Sequence, residues 1–330
     1  MDVVNVGSSV FTKLWTQLFI ASNYQYPFYQ SWNIEYYKTV FRDSGFEDCS
    51  FVIAEKDKAL VGIRMALGTS PEGNRELSFF RLPMLCVEDQ NIDQNQLRTA
   101  YKLLKAEFEK KLETESVTVV IYQDFLNKGE LSVIGRYLLD KGALVVPYFT
   151  QVIDLTIPEA DLHRSIRKSY KSLVNWGKKN LKLKILDSEA IALEDLENFR
   201  KLHFHSAGRQ TRSFDTWHLQ YKMVCHKEAF VILGELEGEL VTAAFFPCSP
   251  RSCYYGVSAS RRELFDKPLS HAVIWSAMLY AKQQGCRFFE LGEQLYPGHG
   301  HPTQKEVNIS TFKHGFGGET QVRLNIKWER

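Results

Sequence analysis

Apolar and polar positions fall into blocks that occur twice along the chain. Phe51, Val52, Ile53 and Ala54 are a short run of strand formers, residues 55–58 are polar, and Ala59, Leu60, Val61, Gly62 and Ile63 resume the run. Phe230, Val231, Ile232 and Leu233 repeat the first arm 179 positions later, and Leu240 to Ala244 repeat the second after a turn containing Gly234 and Gly238. Each block predicts a β-hairpin. A third strand is predicted at 77–80 in one copy and at 253–256 in the other. Leu97, Tyr101, Leu104 and Phe108 then recur at helical spacing over 96–112, as do Leu269, Ala272, Val273, Ala277 and Ala281 over 268–284. A buried strand follows each helix, at 117–121 and 287–291. Val322, Leu324 and Ile326 alternate as a closing strand. Two copies are too few for a solenoid. They predict an α/β chain of two similar domains, residues 1–150 and 151–330, each a mixed central sheet flanked by helices.

At 330 residues the chain is long enough for two cores without disulfide support. No run of about 18 uncharged apolar residues predicts a membrane span. The first residues carry no basic segment ahead of an apolar one, so they do not read as a secretory signal. Six cysteines (Cys49, Cys86, Cys225, Cys248, Cys253 and Cys286) form no Cys-x-x-Cys pair and read as free thiols in a reducing, cytoplasmic setting. His299 and His301 are too thin a cluster for a metal, and no metal site is expected.

Net charge is only +2, which gives no global case for nucleic-acid binding. The distribution says more. Residues 164–184 hold eight basic side chains, Arg164, Arg167, Lys168, Lys171, Lys178, Lys179, Lys182 and Lys184, and no acid. Elsewhere acids outnumber bases. This strip begins as an amphipathic helix with Leu162, Ile166, Leu173 and Val174 on its apolar face and Arg164, Lys168 and Lys171 on another. A solvated face explains such charges, and so does an anionic ligand.

The two copies differ at the entry to their helices. Residues 87–93 carry Glu88, Asp89 and Asp93 and no base, which would repel a phosphate. Residues 265–268 read Phe-Asp-Lys-Pro: Asp266 is placed to cap the helix, Pro268 suits a first turn, and Lys267 adds positive charge where free N–H groups favour an anion. His271 lies one turn in. The preceding loop, 258–265, has none of the glycines that close a backbone around a CoA pyrophosphate. Arg209 and Arg212 follow a helix end at Gly208, and arginine forks suit phosphate or carboxylate. Tyr255 lies in the third strand of the same copy. Glu290 and Glu293, at the end of the last core strand, are candidate general bases or structural carboxylates. Lys313 sits among Phe312, Gly315, Phe316, Gly317 and Gly318, either snorkelling to solvent or aimed into a pocket.

Residues 166–173 (Ile-Arg-Lys-Ser-Tyr-Lys-Ser-Leu), 267–271 with 281–292, and the Phe312-Lys313-x-x-Phe316-Gly317 signature resemble FemAB-like proteins; over the first 150 residues the resemblance is one of layout. That family has two GNAT-like acyltransferase domains. The resemblance implies an N-acyl- or N-aminoacyltransferase, with transfer to an amine of a cell-wall or surface-glycan precursor. It implies Lys313 at the developing oxyanion and Arg167 and Lys168 near an anionic substrate. Acyl-CoA and aminoacyl-tRNA both stand as donors, with no other cofactor called for, and the partner is an anionic small-molecule or lipid-linked glycan precursor. The chain departs from the family in lacking a heptad-patterned helical arm, which argues against tRNA, as the glycine-free loop argues against CoA. Two other readings stay open: an acyl-CoA-dependent GNAT N-acetyltransferase, and a non-catalytic module that binds an anionic glycan precursor.

Overall fold

A computed structural model describes residues 1–126 and 129–330. The chain packs into two compact units. The first comprises Met1–Gln25, Phe41–Tyr148 and Val322–Arg330, and the second Tyr26–Val40 and Phe149–Gln321. Hydrophobic patterning does not announce the exchange of Tyr26–Val40 and Val322–Arg330 between the halves of the sequence. Specific polar contacts fix the first of these segments. The buried Glu228 carboxylate accepts from the N–H groups of Trp32 (3.0 Å) and Asn33 (3.1 Å), and so caps the Ser31–Val40 helix within the second unit.

Both units use one plan. In the second, Lys182–Leu186, Ala229–Leu236, Glu239–Pro247 and Ser258–Ser260 form an antiparallel sheet. The chain changes partner within a few residues. Ser252–Tyr254 runs parallel to Phe288–Glu290, whereas Ser258–Ser260 runs antiparallel to Thr242–Ala244. The N–H of Tyr255 donates to Glu290 O at 2.8 Å, and that of Gly256 to Phe245 O at 3.1 Å. The sheet therefore splays open at this point. The first unit does the same: Arg75–Ser78 is parallel to the Val119–Asp124 strand, while Cys86–Glu88 is antiparallel to Lys58–Ile63. The hairpins, third strands, helices and fourth strands stand where the repeat places them.

The Leu269–Gln283 helix buries Leu269, Ala272, Val273, Ile274, Trp275, Ala277, Met278 and Ala281, so it is apolar nearly all round. One side covers the core with Phe246, Phe289 and Phe316. The other meets the Lys168–Asn180 helix, where Gly177 lies against Ala272 so closely that a Cβ would overlap it. In the first unit the Gln94–Thr114 helix starts at Asp93, whose carboxylate accepts from Asn95 N at 2.7 Å, and buries Leu97, Ala100, Leu104, Phe108 and Leu112.

Four local expectations are corrected. The basic strip is not one helix: Glu159–Ser165 ends at Ile166, and a new helix, Lys168–Asn180, starts after Arg167, whose backbone is extended. Asp266 does not cap the following helix; it pairs with Lys267 at 3.3 Å, and Pro268 occupies the cap position without a side-chain bond. In the closing strand Val322 is exposed and Arg323 is buried, its guanidinium 4.2 Å from the Phe125 ring centroid. Tyr101 is only half-buried and donates its hydroxyl to Glu88.

Candidate active site

The Gln304–His314 helix sets out from a capping box in which Thr303 and Glu306 bond reciprocally, and Lys313 falls in its last turn. A cation there is favoured by the carbonyl end of the helix. The segment that follows is held by close backbone approach. Gly315 lies on the Tyr170 ring, Gly317 (φ +85°) on Ser165, and Gly318 (φ +78°) on the Val152 carbonyl; Phe316 is fully buried. Arg167 N donates to Gly315 O at 2.9 Å, and the Gln151 amide to Gly317 O at 2.6 Å. The glycines of the signature thus serve to seat the lysine.

Lys313 is half-buried, and its ammonium donates to the main-chain carbonyl of Glu293 at 3.3 Å. Burial pulls its pKa below the usual lysine value, while Glu293 and then Glu290 oppose the shift. Glu290 is buried and accepts from the Thr150 hydroxyl at 2.8 Å. Burial raises the Glu293 carboxyl, with Lys313 acting against it and Glu306 adding to it. Between them the strand bulges, and Gly292 adopts φ +83°. A Cβ on Gly292 would lie 2.6 Å from the Tyr254 hydroxyl and 3.5 Å from the Lys313 Nζ. The bulge therefore gathers an ammonium, a phenol and two carboxylates.

A cleft of about 450 Å³ opens at Ser258–Ser260, where the sheet splays; it shares no lining residue with this cluster and reaches only Phe312, the neighbour of Lys313 in the chain. Lys267, Ser270 and His271 from the start of the Leu269–Gln283 helix line it, with Ser258, Ser260 and Phe312. His271 stacks edge-on against Tyr170 (4.5 Å) and Phe312 (5.3 Å), and burial lowers its pKa to about 4, so the imidazole is neutral at pH 7.

The sequence candidates therefore separate. Lys313, Glu290 and Glu293 come together, and Lys267 and His271 share the cleft. Arg167 is exposed; it stacks on Tyr170 at 5.2 Å and donates to Thr311 O at 3.4 Å. Lys168 is exposed, and Lys171 donates to Arg164 O at 3.4 Å. Arg209 is exposed on the loop after Gly208. Arg212 is half-buried with its guanidinium over the Trp217 ring. Tyr255 turns toward the core, and its hydroxyl donates to Ser258 at 2.8 Å.

Two features escaped the sequence reading. Tyr254, paired with Glu290 across the parallel strands, reaches Gly292 near the Lys313 ammonium. Phe28 stacks on Tyr254 at 5.1 Å and Tyr37 lies close to it, both delivered by the Tyr26–Val40 segment. The aromatic density of 24–37 was a readable signal; its destination was not.

Among the described residues no helix is long and apolar enough to cross a membrane, and no group of three metal-ligating side chains is present. No family model and no curated protein matches the chain. Solved structures do. The crystal structure of FemX is 12% identical over 98% of this chain and 97% of that one, with a TM-score of 0.72. A tandem GNAT protein from the clavulanic acid biosynthesis pathway is 12% identical over 99% and 98%, with a TM-score of 0.56. L-PGS from Bacillus licheniformis is 12% identical over 89% and 91%, with a TM-score of 0.56. The chain has the tandem GNAT fold, which FemX shares.

Proposed function

We propose that the protein is an N-acyl- or N-aminoacyltransferase acting on an amine of a cell-envelope or surface-glycan precursor. The observation that carries this reading is Lys313, an ammonium half-buried at the bulge of the last core strand and held by a main-chain carbonyl. The shared fold with FemX supports it.

In this scheme the acceptor amine, in its neutral form, attacks the donor carbonyl carbon. A new C–N bond forms, and the carbonyl electrons move onto oxygen. The Lys313 ammonium, drawn partly out of water, stabilises that oxyanion. Glu293, whose carboxyl is raised by burial, takes the proton released by the amine. Collapse re-forms the carbonyl and breaks the C–S or C–O bond to the donor, and the departing sulfur or ribose oxygen takes the proton held by Glu293. Glu290, already bonded to Thr150, positions the strand end. Holding two substrates in line is worth up to about 7–11 kcal/mol. One well-placed oxyanion donor adds about 2.7–4 kcal/mol. The cleft at Lys267 and His271 suits the anionic portion of the donor, since a helix start and a lysine both favour negative charge.

The test is transfer itself. The protein is incubated with acyl-CoA or with aminoacyl-tRNA and amine-bearing glycan precursors, and the acceptor mass is followed. A mass gain equal to the acyl or aminoacyl group, absent without protein, is the expected result. Precursor binding with no transfer from either donor overturns the reading and leaves a binding module.

A further inference from the structure

We infer a second ligand site, on the first unit, built to take a small zwitterion with a primary ammonium and a nearby carboxylate: a free amino acid or a short peptide. It is independent of the transfer reading. A cleft of about 410 Å³ lies on one face of the sheet formed by Arg75–Ser78, Val119–Asp124 and the closing strand. Register puts Glu76 beside Val119, Val119 beside Glu329, and Ile121 beside Lys327, so these side chains form its floor.

Glu76 is the anomaly. Its side chain lies in a residue only 3% exposed, yet its one hydrogen bond is from the Ser78 hydroxyl to Oε1, at 2.6 Å, and no cation pairs with it. Oε2 accepts no hydrogen bond, and Glu76 lines the cleft. A carboxylate buried without a counter-charge is costly unless it is paired or fully hydrogen-bonded, and a ligand ammonium would supply the missing partner. Arg81 lines the same cleft and makes no ion pair: its Nη2 donates to the Ser44 hydroxyl at 2.6 Å, its guanidinium lies 5.4 Å from the Phe41 ring centroid, and its buried Nε donates to nothing. The Glu72 carboxyl in the same lining, lowered first by its bond from Ser70, also feels Lys327 and Arg81. Glu76 and Arg81 do not pair with each other.

The backbone shows that this arrangement is imposed. Phe80 (φ +49°) and Arg81 (φ +64°) are consecutive non-glycine residues in the left-handed region, a strained conformation. Arg81 N donates to the Ser78 hydroxyl at 2.8 Å, so the same serine touches Glu76 and fixes the arginine's turn. Glu76 and Arg81, both lining one polar cleft and neither held in an ion pair, match a ligand whose ammonium meets Glu76 and whose carboxylate meets Arg81. A phosphate alone would face Glu76 unfavourably, and a simple amine would leave Arg81 unused.

The experiment is calorimetry on the full chain with the twenty amino acids and with Ala-Ala, followed by ethylamine and propionate as single-charge counterparts of alanine. At least one zwitterion should bind, and its single-charge counterparts should bind at least tenfold more weakly. Glu76→Gln should weaken that zwitterion at least tenfold while leaving the melting temperature unchanged or higher, because an uncompensated buried charge has gone. Arg81→Met should weaken it comparably. Absence of binding by every zwitterion tested, equal binding of ethylamine or propionate, or unaltered affinity in a folded Glu76→Gln protein would each overturn the proposal. The analogue comparison uses the unmodified chain, so it stands even if a variant fails to fold.

Discussion

Replacing Gly292 with alanine probes the geometry on which the candidate active site depends. Two separate penalties follow from the structure. The first is conformational: φ is +83° at Gly292, and an L-residue held in the left-handed region costs about 1–2 kcal/mol. The second is steric: the new Cβ would sit 2.6 Å from the Tyr254 hydroxyl and 3.5 Å from the Lys313 Nζ. Tyr254 is wedged against Phe28, so the ring has little room to retreat, and overpacking of this kind costs about 1–3 kcal/mol. Gly238 separates the two penalties. Its φ is +85°, in the hairpin after Leu236, but a Cβ there meets nothing within 4 Å. Gly238→Ala should therefore report the conformational cost alone, and Gly292→Ala should be worse by the steric part. Urea unfolding monitored by fluorescence reads both. The expected gap is about 1–3 kcal/mol, and roughly 2–4 °C of melting temperature accompanies each kcal/mol in a unit of this size. Equal destabilisation of the two variants would refute the placement of Tyr254 over Gly292, and with it the gathering of phenol, ammonium and carboxylates at the bulge.

Other outcomes follow from the same structure. Gly177→Ala should lower stability despite the better helix propensity of alanine (about 1 kcal/mol), and Ala272→Gly in the same chain should restore it, as thermal melts will show. The folded-state pKa of His271 lies near 4, below its ordinary 6.5, so the neutral ring is favoured by folding. Its contribution is present above pH 6.5 and is lost as pH falls toward 4; His271→Phe should flatten melting temperature against pH across that window. The Glu228 carboxyl is raised by burial, so the stability tied to its protonated form is lost as pH rises through its folded pKa. Glu228→Gln should remove that step in urea titrations.

The repeat was legible because hairpins and amphipathic helices write their periods locally. Phe51–Glu55 with Lys58–Ile63, and Ala229–Leu236 with Glu239–Pro247, are antiparallel pairs closed by short turns, and nothing distant is needed to see them. What stayed hidden required long-range pairing. The parallel pairing of Tyr254 with Glu290, which sets that tyrosine at the bulge, joins strands far apart in the chain, and no alternation pattern encodes it. The place of Tyr26–Val40 rests on partners about two hundred residues away, among them the Glu228 carboxylate and the Tyr254 ring. Lys313 was readable because three glycines surround it, each needed for close approach. Most of the basic strip is exposed, and part of it is absorbed by ordinary ion pairs, as between Arg164 and Asp161 or Lys184 and Asp195.

The turnover of Lys313→Met, measured with whichever donor and acceptor the wild-type protein accepts, tests the central claim most directly. Loss of an oxyanion donor predicts a fall in kcat of about 10²–10³ with the fold unchanged. Because the ammonium is the active form and burial lowers its pKa, the wild-type rate should decline with rising pH before the ordinary lysine value of 10.5 is reached. Propylamine should restore part of the activity of Lys313→Ala. A Lys313→Met protein turning over within about threefold of wild type, a barrier change of under 1 kcal/mol, would contradict the account.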